Sequence, residues 1–445
     1  MTIDWAVGAR LAPADAAERR FCAPVPGGGL SQRRGVLRPM FEPERGLSMK
    51  KLVIVGGGFA GVWAALQASA VRHRANATRR FSITLVSRDP WLTIRPRLYE
   101  DSLDGVRVPL AEVLDPQGVE LVEAEVRHID TESRLITLGD GTHRERYDKL
   151  VFAAGSLVQR AAIPGAEKAF AVDTYKEAAA LRAHLETLPR ADEDTAGRYT
   201  AVVIGAGFTG IEVATTLVSR LRRIAAVADA QPSARVVLVE RSPLVVPDLG
   251  PSARREVMRA LAELGIECHT GIGASAIDDD GVRLADGRRI PAATVVITGG
   301  FRANPLAAQL PVPHDAIGRV DVDRLLRVRG AEHVYAAGDV ARAKADMEGH
   351  VVPMSCQCAI PMGEIAGANA AAALLGLRQA EFTYPDYVTC LDLGEAGALF
   401  MEGWDREVRL TGHWGKVMKE SINRRLIYPP RRGHASRRDG IAAVA

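Results

Sequence analysis

The glycines of residues 56–61 have the spacing of a dinucleotide-binding turn. They follow an apolar run at residues 52–55, which is typical of a buried strand, and they precede a helical pattern at residues 62–70. In such a turn Gly56 permits the tight change of direction, Gly58 lets a pyrophosphate approach the backbone, and Gly61 lets helix and strand pack closely. The pyrophosphate would lie at the positive end of the helix. One G-x-G-x-x-G motif is weak evidence by itself.

A second copy of the same motif strengthens this interpretation. Gly205, Gly207 and Gly210 again follow an apolar strand pattern and open a helical stretch that contains Glu212. The next predicted strand, at residues 235–240, ends in Glu240. An acid at that position pairs with a ribose 2′-hydroxyl and repels a 2′-phosphate, so NADH is favoured over NADPH. Two such units predict that one chain binds two dinucleotides.

The corresponding strand of the first unit, at residues 81–86, ends differently. Ser87 and Arg88 occupy the place where an acid usually binds the ribose, and Asp89 follows them. Either Asp89 takes the role after a shift in the turn, or Ser87 and Arg88 hold the adenosine end in another way.

Composition excludes several classes of protein. The chain has 445 residues, of which 47% are hydrophobic and 25% charged, as expected for a globular protein of several domains. A net charge of +3 gives no reason to expect nucleic acid as a partner. The five cysteines contain no C-x-x-C, and the ten histidines form no close pair, so we expect a reducing cytoplasm and no metal site. No run of 18 apolar residues predicts a membrane span.

The remaining patterns divide the chain into four parts. Residues 1–48 lack any persistent period and predict a disordered extension. A first nucleotide unit would comprise residues 49–163 and 301–382, with the second unit, 164–300, inserted in it, and residues 383–445 would form a small α+β appendage. Residues 412–445 carry eight Lys or Arg and two acids, so a basic helix there would either lie on an anionic membrane or dock on the protein with a solvated tail.

This order of units resembles the pyridine nucleotide-disulfide oxidoreductase superfamily. The motifs that carry the resemblance are G-G-G-F-A-G at 56–61, A-A-G at 153–155, G-A-G-F-T-G-I-E at 205–212, T-G-G at 298–300 and Y-A-A-G-D at 335–339. The resemblance implies an α/β fold with two Rossmann-like domains. It implies FAD at Gly56, Gly58, Phe59, Ala60, Gly61, Ser87, Arg88, Asp89, Val126, Ala154, Gly155, Gly338, Asp339 and Cys358. It implies NAD at Gly205, Gly207, Phe208, Thr209, Gly210, Glu240, Gly299 and Gly300.

Within the superfamily the chain looks most like the type II NADH:quinone oxidoreductases. Residues 92–100 resemble their F-x-P-L-L-Y-E segment, and residues 356–363 resemble their A-Q-x-x-x-Q-x-G quinone helix. Gln357 matches the first glutamine of that helix, whereas Pro361 stands in place of the second. The segment from Cys390 to Gly394 resembles sulfide:quinone oxidoreductases, but the other redox cysteine of those enzymes has no counterpart in mid-chain.

The resemblance assigns catalytic roles to two residues. Glu212 would lie near the nicotinamide and the flavin ring and position the hydride donor; alternatively, its carboxylate stabilises the N-terminus of a helix. Gln357 would lie beside the flavin ring and the acceptor; alternatively, it is a polar residue at a helix start. Cys356 and Cys358 are more typical of small packing residues than of a metal site, because C-x-C supplies two ligands where structural zinc needs four.

The sequence therefore predicts an FAD-dependent enzyme that takes hydride from NADH and reduces a quinone-like molecule by a ping-pong mechanism. A ferredoxin reductase and a sulfide:quinone oxidoreductase are alternative enzymes. A third hypothesis is an NADH-sensing flavoprotein that acts by binding a partner or a membrane. We expect a cytoplasmic protein. Peripheral membrane contact through the basic C-terminal helix and assembly into a homodimer are both left open.

Overall fold

The computed structural model describes residues 49–159, 163–192, 195, 197–227 and 234–430. The predicted extension, 1–48, and the end of the basic tail, 431–445, lie outside the described residues. In the first part of the chain the helices are α1 (Phe59–Arg74) and α2 (Leu110–Leu114). The strands are β1 (Lys50–Val55), β2 (Phe81–Ser87), β3 (Trp91–Thr93), β4 (Arg107–Pro109), β5 (Glu120–Glu123), β6 (Val126–Asp130), β7 (Leu135–Leu138), β8 (His143–Arg146), β9 (Lys149–Phe152) and β10 (Ser156–Val158).

The middle of the chain repeats the strand-turn-helix pattern. Its helices are α3 (Tyr175–Thr187), α4 (Phe208–Val227) and α5 (Pro251–Glu263). Its strands are β11 (Thr200–Ile204), β12 (Arg235–Glu240), β13 (Glu267–Thr270), β14 (Ala274–Asp278), β15 (Gly281–Leu284), β16 (Arg289–Pro291) and β17 (Thr294–Ile297).

The last part holds β18 (Phe301–Ala303), β19 (Val320–Asp321), β20 (Arg327–Val328), β21 (Ala331–Ala336), β22 (Ala341–Arg342), β23 (Val388–Asp392), β24 (Ala398–Glu402) and β25 (Glu407–Leu410). Its helices are α6 (Cys356–Leu375) and α7 (Gly412–Ser421), and α7 continues into a π-helical turn, Ile422–Leu426. Short 3₁₀ helices lie at Arg95–Arg97, Asp115–Gln117, Ala166–Lys168, Leu188–Arg190, Pro305–Gln309, Gly338–Val340 and Gly394–Ala396.

The first sheet has the strand order β20-β21-β9-β1-β2-β5. Its pairs are parallel except for β20 with β21. Strand β1 lies inside the sheet, and its last four residues are buried, which explains their uninterrupted apolar run. Because β21 follows the middle unit in sequence yet pairs with β9, the chain returns to the first sheet, as the motif order predicts.

The second sheet has the order β13-β12-β11-β17, with all pairs parallel. Strand β11 leads into the second glycine turn in the same way that β1 leads into the first. The predicted α/β architecture with two Rossmann-like units is therefore confirmed.

Helix α6 packs against α1 at very short range. A Cβ atom on Gly363 would lie 2.2 Å from the carbonyl oxygen of Ala60, and one on Gly367 would lie 2.1 Å from that of Ala64. Among the described residues, α6 has the length and mean hydropathy to cross a membrane, but 67% of its most apolar window is buried in the protein, as in a core helix. A proline in a helical pattern predicts an interruption, yet Pro361 lies inside α6 without ending it.

The appendage is a three-stranded antiparallel sheet, β23-β24-β25, packed against α7. The sequence predicts short strands at residues 388–393 and 398–401 and the basic helix after them, but not β25. Strand β25 has exposed residues alternating with half-buried ones and no apolar run, so its pattern gives little signal.

Candidate functional site

The first glycine turn has the steric features that its sequence predicts. Gly56 has φ of +116°, and a Cβ atom there would lie 2.2 Å from the carbonyl oxygen of Ala153. A Cβ on Gly61 would lie 1.8 Å from the carbonyl oxygen of Gly56, so only glycine allows α1 to start so close to β1. A Cβ on Gly58 would meet nothing within 4 Å. Gly58 therefore borders open space at the start of α1.

The second turn has the same geometry. Gly205 has φ of +109°, and a Cβ on Gly210 would lie 1.9 Å from the carbonyl oxygen of Gly205. Gly207 again borders open space, and Phe208 and Thr209 begin α4. Neither α1 nor α4 has an acidic residue in its first turn. Both turns thus leave a positive helix end open to an anionic group, which fits a dinucleotide pyrophosphate.

The two strand ends beside these turns differ, as the sequence indicates. Ser87 is buried at the end of β2, and its hydroxyl donates to the carbonyl oxygen of Asp89 at 2.7 Å. Arg88 and Asp89 are exposed in the turn that follows. Glu240 at the end of β12 accepts bonds from the backbone N–H groups of Ala206 and Ser242, both at 2.7 Å. Glu240 is therefore fixed directly beside the second glycine turn.

The other predicted flavin residues lie around the start of α1. A Cβ on Gly338 would lie 2.9 Å from the Cβ of Ala60 and 3.5 Å from that of Ala359, so the Gly338 turn is wedged between α1 and α6. The neighbouring Asp339 accepts a hydrogen bond of 2.6 Å from the hydroxyl of Ser156. Burial raises the pKa of the Asp339 carboxyl, and Arg95 at 3.6 Å opposes this rise.

The strand ends at 153–155 and 298–300 lie where the chain passes between the two units. Gly155 has φ of +72° and borders open space. Asn304 donates from its side chain to the carbonyl oxygen of Ala154 at 3.2 Å. Gly299 is closely approached, since its Cβ would lie 2.6 Å from the carbonyl oxygen of Gln159, whereas Gly300 is open. Val126, one of the residues that the resemblance assigns to FAD, is a buried core residue at the start of β6.

Glu212 lies in a buried ion pair that its sequence context does not predict. Its Oε1 accepts from Lys419 Nζ at 2.7 Å and from the backbone N–H of Asp392 at 3.2 Å. Burial raises the pKa of the Glu212 carboxyl, and Lys419 opposes this rise. Burial also opposes the charge of Lys419, but the carboxylate of Glu212 outweighs it and the pKa of the ammonium lies above its usual value. The pair joins α4 of the second unit to α7 of the appendage.

A second ion pair lies beside the first. Lys416 donates to both carboxylate oxygens of Asp392, at 2.6 and 2.8 Å, and the hydroxyl of Tyr99 donates to Asp392 at 3.0 Å. Tyr99 comes from the 92–100 segment, so this network connects three separate parts of the chain. The basic, amphipathic character of residues 412–426 is the one sequence signal for the two lysines, and it gives no hint that Lys419 points inwards.

Gln357 lies in the first turn of α6, and its side-chain nitrogen donates to the hydroxyl of Tyr384 at 2.5 Å. Because Pro361 has no N–H group, the carbonyl oxygen of Gln357 lacks its usual helical donor.

The cysteines near the candidate site are protonated thiols. Burial raises the pKa of the Cys356 thiol to about 11 and that of Cys390 to about 12, and the positive charge of Lys419 opposes this rise at both thiols. Cys358 is buried, and burial raises the pKa of its thiol to about 12. Lys419 Nζ also donates to the carbonyl oxygen of Cys390 at 3.3 Å.

One group of possible metal ligands occurs among the described residues. Side-chain atoms of Asp346, Glu348 and His350 lie within 4.8 Å of one another. His350 Nδ1 is hydrogen-bonded to Asp346 at 2.6 Å, and the ring of His350 stacks on Trp404. These contacts account for the position of the histidine without a metal ion.

Comparison with known proteins decides the family. The profile of the pyridine nucleotide-disulphide oxidoreductase family matches residues 50–363, which include both glycine turns. The chain belongs to this family. It is 45% identical over 399 residues to an NADH dehydrogenase-like protein of Mycobacterium tuberculosis, covering 89% of this chain and 98% of that protein. It is 25% identical to a type II NADH:quinone oxidoreductase of Staphylococcus aureus, covering 85% of this chain and 95% of that protein.

A comparison of folds finds a related structure. A structure of NDH2 from Plasmodium falciparum in complex with NADH superposes with a TM-score of 0.72 at 14% identity, covering 86% of this chain and 95% of that one. This pyridine nucleotide-disulphide oxidoreductase is therefore an NAD(P)H-dependent flavoprotein enzyme, similar to the NADH dehydrogenase-like proteins.

Proposed function

We propose that this enzyme oxidises NADH with bound FAD and reduces a quinone or quinone-like small molecule. The observation that carries the proposal is the buried pair of Glu212 and Lys419, which joins the helix after the second glycine turn to the appendage. An acid–base pair at this junction is where a proton-coupled acceptor would be reduced. The quinone oxidoreductase of Staphylococcus aureus, which this chain resembles, supports the choice of acceptor.

The two dinucleotides would be held by the two glycine turns. Gly56, Gly58 and Gly61, with Asp339, fit the pyrophosphate and ribityl chain of FAD, because the turn is open at Gly58 and the carboxylate can bind a polyol hydroxyl. Gly205, Gly207 and Gly210, with Glu240, fit NADH in preference to NADPH. Bound flavin would supply the hydride and electron transfer of a ping-pong reaction, in which NAD⁺ leaves before the acceptor is reduced.

The protein would supply orientation and protons. Reduction of a quinone to a quinol takes up two protons along with two electrons. Lys419 Nζ donates to Glu212 Oε1 at 2.7 Å, so its ammonium would give a proton to the reduced acceptor and would take one back from solvent, while the carboxylate of Glu212 holds the amine in place and favours its protonated form. Asp392 and Lys416 adjoin this pair, and the backbone N–H of Asp392 also fixes the carboxylate of Glu212.

Gln357 and Tyr384 would bind the acceptor carbonyl. The amide of Gln357 points to the hydroxyl of Tyr384, and this hydroxyl keeps its own proton for donation to a carbonyl oxygen. Burial raises the pKa of Tyr384 well above its usual value, so the donor stays protonated across the physiological range. Tyr384 would thus replace the second glutamine of the quinone helix, where this chain has Pro361.

Helix α7 would bring the acceptor site to a membrane surface on the cytoplasmic side. Its inward face carries Lys419 and, beyond it, Asn423, whereas its outward face carries Trp414 and Val417, which are 69% and 45% exposed. This is the reverse of the pattern in a helix docked on a soluble protein. Arg424 and Arg425 are exposed beside these apolar side chains and suit an anionic lipid surface.

The thiols argue against a sulfide-oxidising variant. Nucleophilic cysteine chemistry needs a thiolate, and burial raises the pKa of Cys356 to about 11 and that of Cys390 to about 12. At neutral pH both thiols would therefore be protonated.

The test is an anaerobic titration of the purified protein with NADH and then with NADPH, in which the absorption spectrum is the readout. We expect a flavin spectrum that bleaches with NADH much faster than with NADPH and returns on addition of a soluble quinone. If NADH bleaches the flavin but only a ferredoxin-type protein or a sulfur compound restores its spectrum, the proposed quinone acceptor is wrong and the proposed NADH site stands. A protein without bound flavin would refute the proposal.

A further inference from the structure

The hairpin between β24 and β25 extends from the appendage to the second glycine turn. Its last turn residue, Arg406, places its guanidinium carbon 5.4 Å from the centre of the Phe208 ring. Phe208 directly follows Gly207, the glycine that borders open space at the start of α4. The hairpin also adjoins the loop after β12, since a Cβ on Gly250 would lie 4.0 Å from the carbonyl oxygen of Asp405. A cation from another domain therefore reaches the region where the NAD(H) diphosphate would bind.

Arg406 is held in place from several sides. Its Nη1 donates to the carbonyl oxygen of Asp248 at 2.8 Å, and its guanidinium also lies 5.9 Å from the ring of Tyr387. Tyr387 in turn stacks on Trp404, with ring centroids 4.6 Å apart. Arg406 itself has φ of +54°, which is uncommon for a residue other than glycine. The turn thus holds a strained backbone at the residue that carries the cation, and the side chain has little freedom left to lose on binding a ligand.

The hydrogen bonds of Arg406 are incomplete. Its buried Nε has no acceptor among the described residues, and its Nη2, which is not buried, has none there either and is the donor that a ligand can reach. A guanidinium has five N–H donors in a planar fork that matches the oxygens of a phosphate. The first turn of α4 contains no acid that would compete for this cation. A dinucleotide diphosphate carries two negative charges and several acceptor oxygens. It could therefore accept hydrogen bonds from both the guanidinium and the backbone N–H groups at the start of α4.

We propose that the C-terminal hairpin completes the NAD(H) site, and that Arg406 binds the diphosphate of the dinucleotide together with the start of α4. This inference rests on the proposed donor site. It makes the appendage a part of both substrate sites, since Lys419 lies on the acceptor side and Arg406 on the donor side.

The test measures binding of ADP-ribose, which has the diphosphate but no nicotinamide, to the full-length flavoprotein by titration calorimetry. We expect Arg406→Gln to weaken ADP-ribose binding about tenfold, as the loss of a charge-assisted phosphate contact would, and Arg406→Lys to recover part of this loss. The matched control is Arg409→Gln, because Arg409 lies on the same hairpin, is exposed and pairs with Glu402 and Glu407. It should leave the affinity unchanged.

A second donor distinguishes a phosphate contact from an effect on shape. Dihydronicotinamide riboside lacks the phosphates, so Arg406→Gln should raise KM for NADH about tenfold, leave kcat nearly unchanged, and leave the reaction with the riboside unaffected. Equal losses with NADH and the riboside, or unchanged ADP-ribose binding in Arg406→Gln, would overturn the inference. If the unmutated protein binds neither ADP-ribose nor NADH, the donor site itself is wrong and the inference falls with it.

Discussion

At the scale of single residues, the buried pair of Glu212 and Lys419 makes a testable contribution to stability. Both side chains are buried, and each compensates the desolvation of the other. Lys419→Met would leave the Glu212 carboxylate without its cation, and we expect a loss of about 3–5 kcal/mol in the free energy of unfolding near pH 8. The double variant Glu212→Gln/Lys419→Met should recover most of this loss, because it removes both charges.

The pH dependence of this loss follows from the carboxyl group. Burial already raises the pKa of Glu212 in the folded protein, and removal of Lys419 raises it further. A carboxyl whose pKa is higher in the folded state than in the unfolded state destabilises the fold as pH rises between these two values. The deficit of Lys419→Met should therefore shrink as pH falls towards 5. Thermal unfolding at pH 8 and pH 5 measures this, and an equal deficit at both values would contradict it.

Glu240 decides between the two nicotinamide dinucleotides in our proposal. Because it lies at the end of β12 and bonds to Ala206 in the glycine turn, its charge would face the ribose. We expect kcat/KM for NADH to exceed that for NADPH at least about tenfold, and Glu240→Gln to narrow this ratio. Glu263→Gln on α5, an exposed acid, is the control. An unchanged ratio in Glu240→Gln would show that another residue selects the dinucleotide.

At the scale of helices and strands, the contact between α1 and α6 depends on two glycines. A Cβ on Gly367 would lie 2.1 Å from the backbone oxygen of Ala64, and backbone cannot move away as a flexible side chain can. Gly367→Ala should therefore force the helices apart and lower the free energy of unfolding by about 1–3 kcal/mol. Ala368→Ser, on the less buried side of the same helix, should change it by less than about 0.5 kcal/mol. Denaturant unfolding with flavin bound measures both.

Helix α7 carries the second prediction at this scale. Trp414→Ser combined with Val417→Ser should reduce binding to anionic phosphatidylglycerol vesicles about tenfold or more, since two exposed apolar side chains would no longer enter the lipid surface. The melting temperature should stay the same, because neither side chain is part of the core. Leu244→Ser is the control, being an apolar residue that is 44% exposed elsewhere on the protein. Vesicle co-sedimentation decides, and undiminished binding by the double variant would refute the role of α7.

At the scale of the whole molecule, the basic tail distinguishes the two classes of function. In an enzyme the tail would only aid membrane binding, whereas in an NADH-sensing binding protein it would carry the function. Truncation after Pro430 removes four arginines, at positions 431, 432, 437 and 438. Each basic residue near an anionic surface contributes about 1 kcal/mol, so vesicle affinity should fall and become less dependent on salt. NADH turnover with a soluble quinone should be unchanged. A protein that has negligible turnover with or without the tail would instead favour the NADH-sensing hypothesis.

The sequence by itself determined the two nucleotide units. Gly56 and Gly205 require positive φ, and Gly61 and Gly210 allow a close approach of helix and strand, so local geometry is written in the motif. The apolar runs before them predicted the central strands for the same local reason. Residue roles that depend on a ligand, such as those of Asp339 and Gln357, stay predictions.

Only the tertiary structure decided which distant groups meet. In the sequence, Lys419 is one of several cations in a basic helix. The packing of α7 on the appendage sheet directs the Lys419 side chain inwards to Glu212. Arg406 belongs to a hairpin whose second strand has no apolar pattern, yet it lies beside Phe208 of the second glycine turn. Such contacts join residues some 200 positions apart, and nothing local in the chain specifies them, because they follow from how complete elements pack.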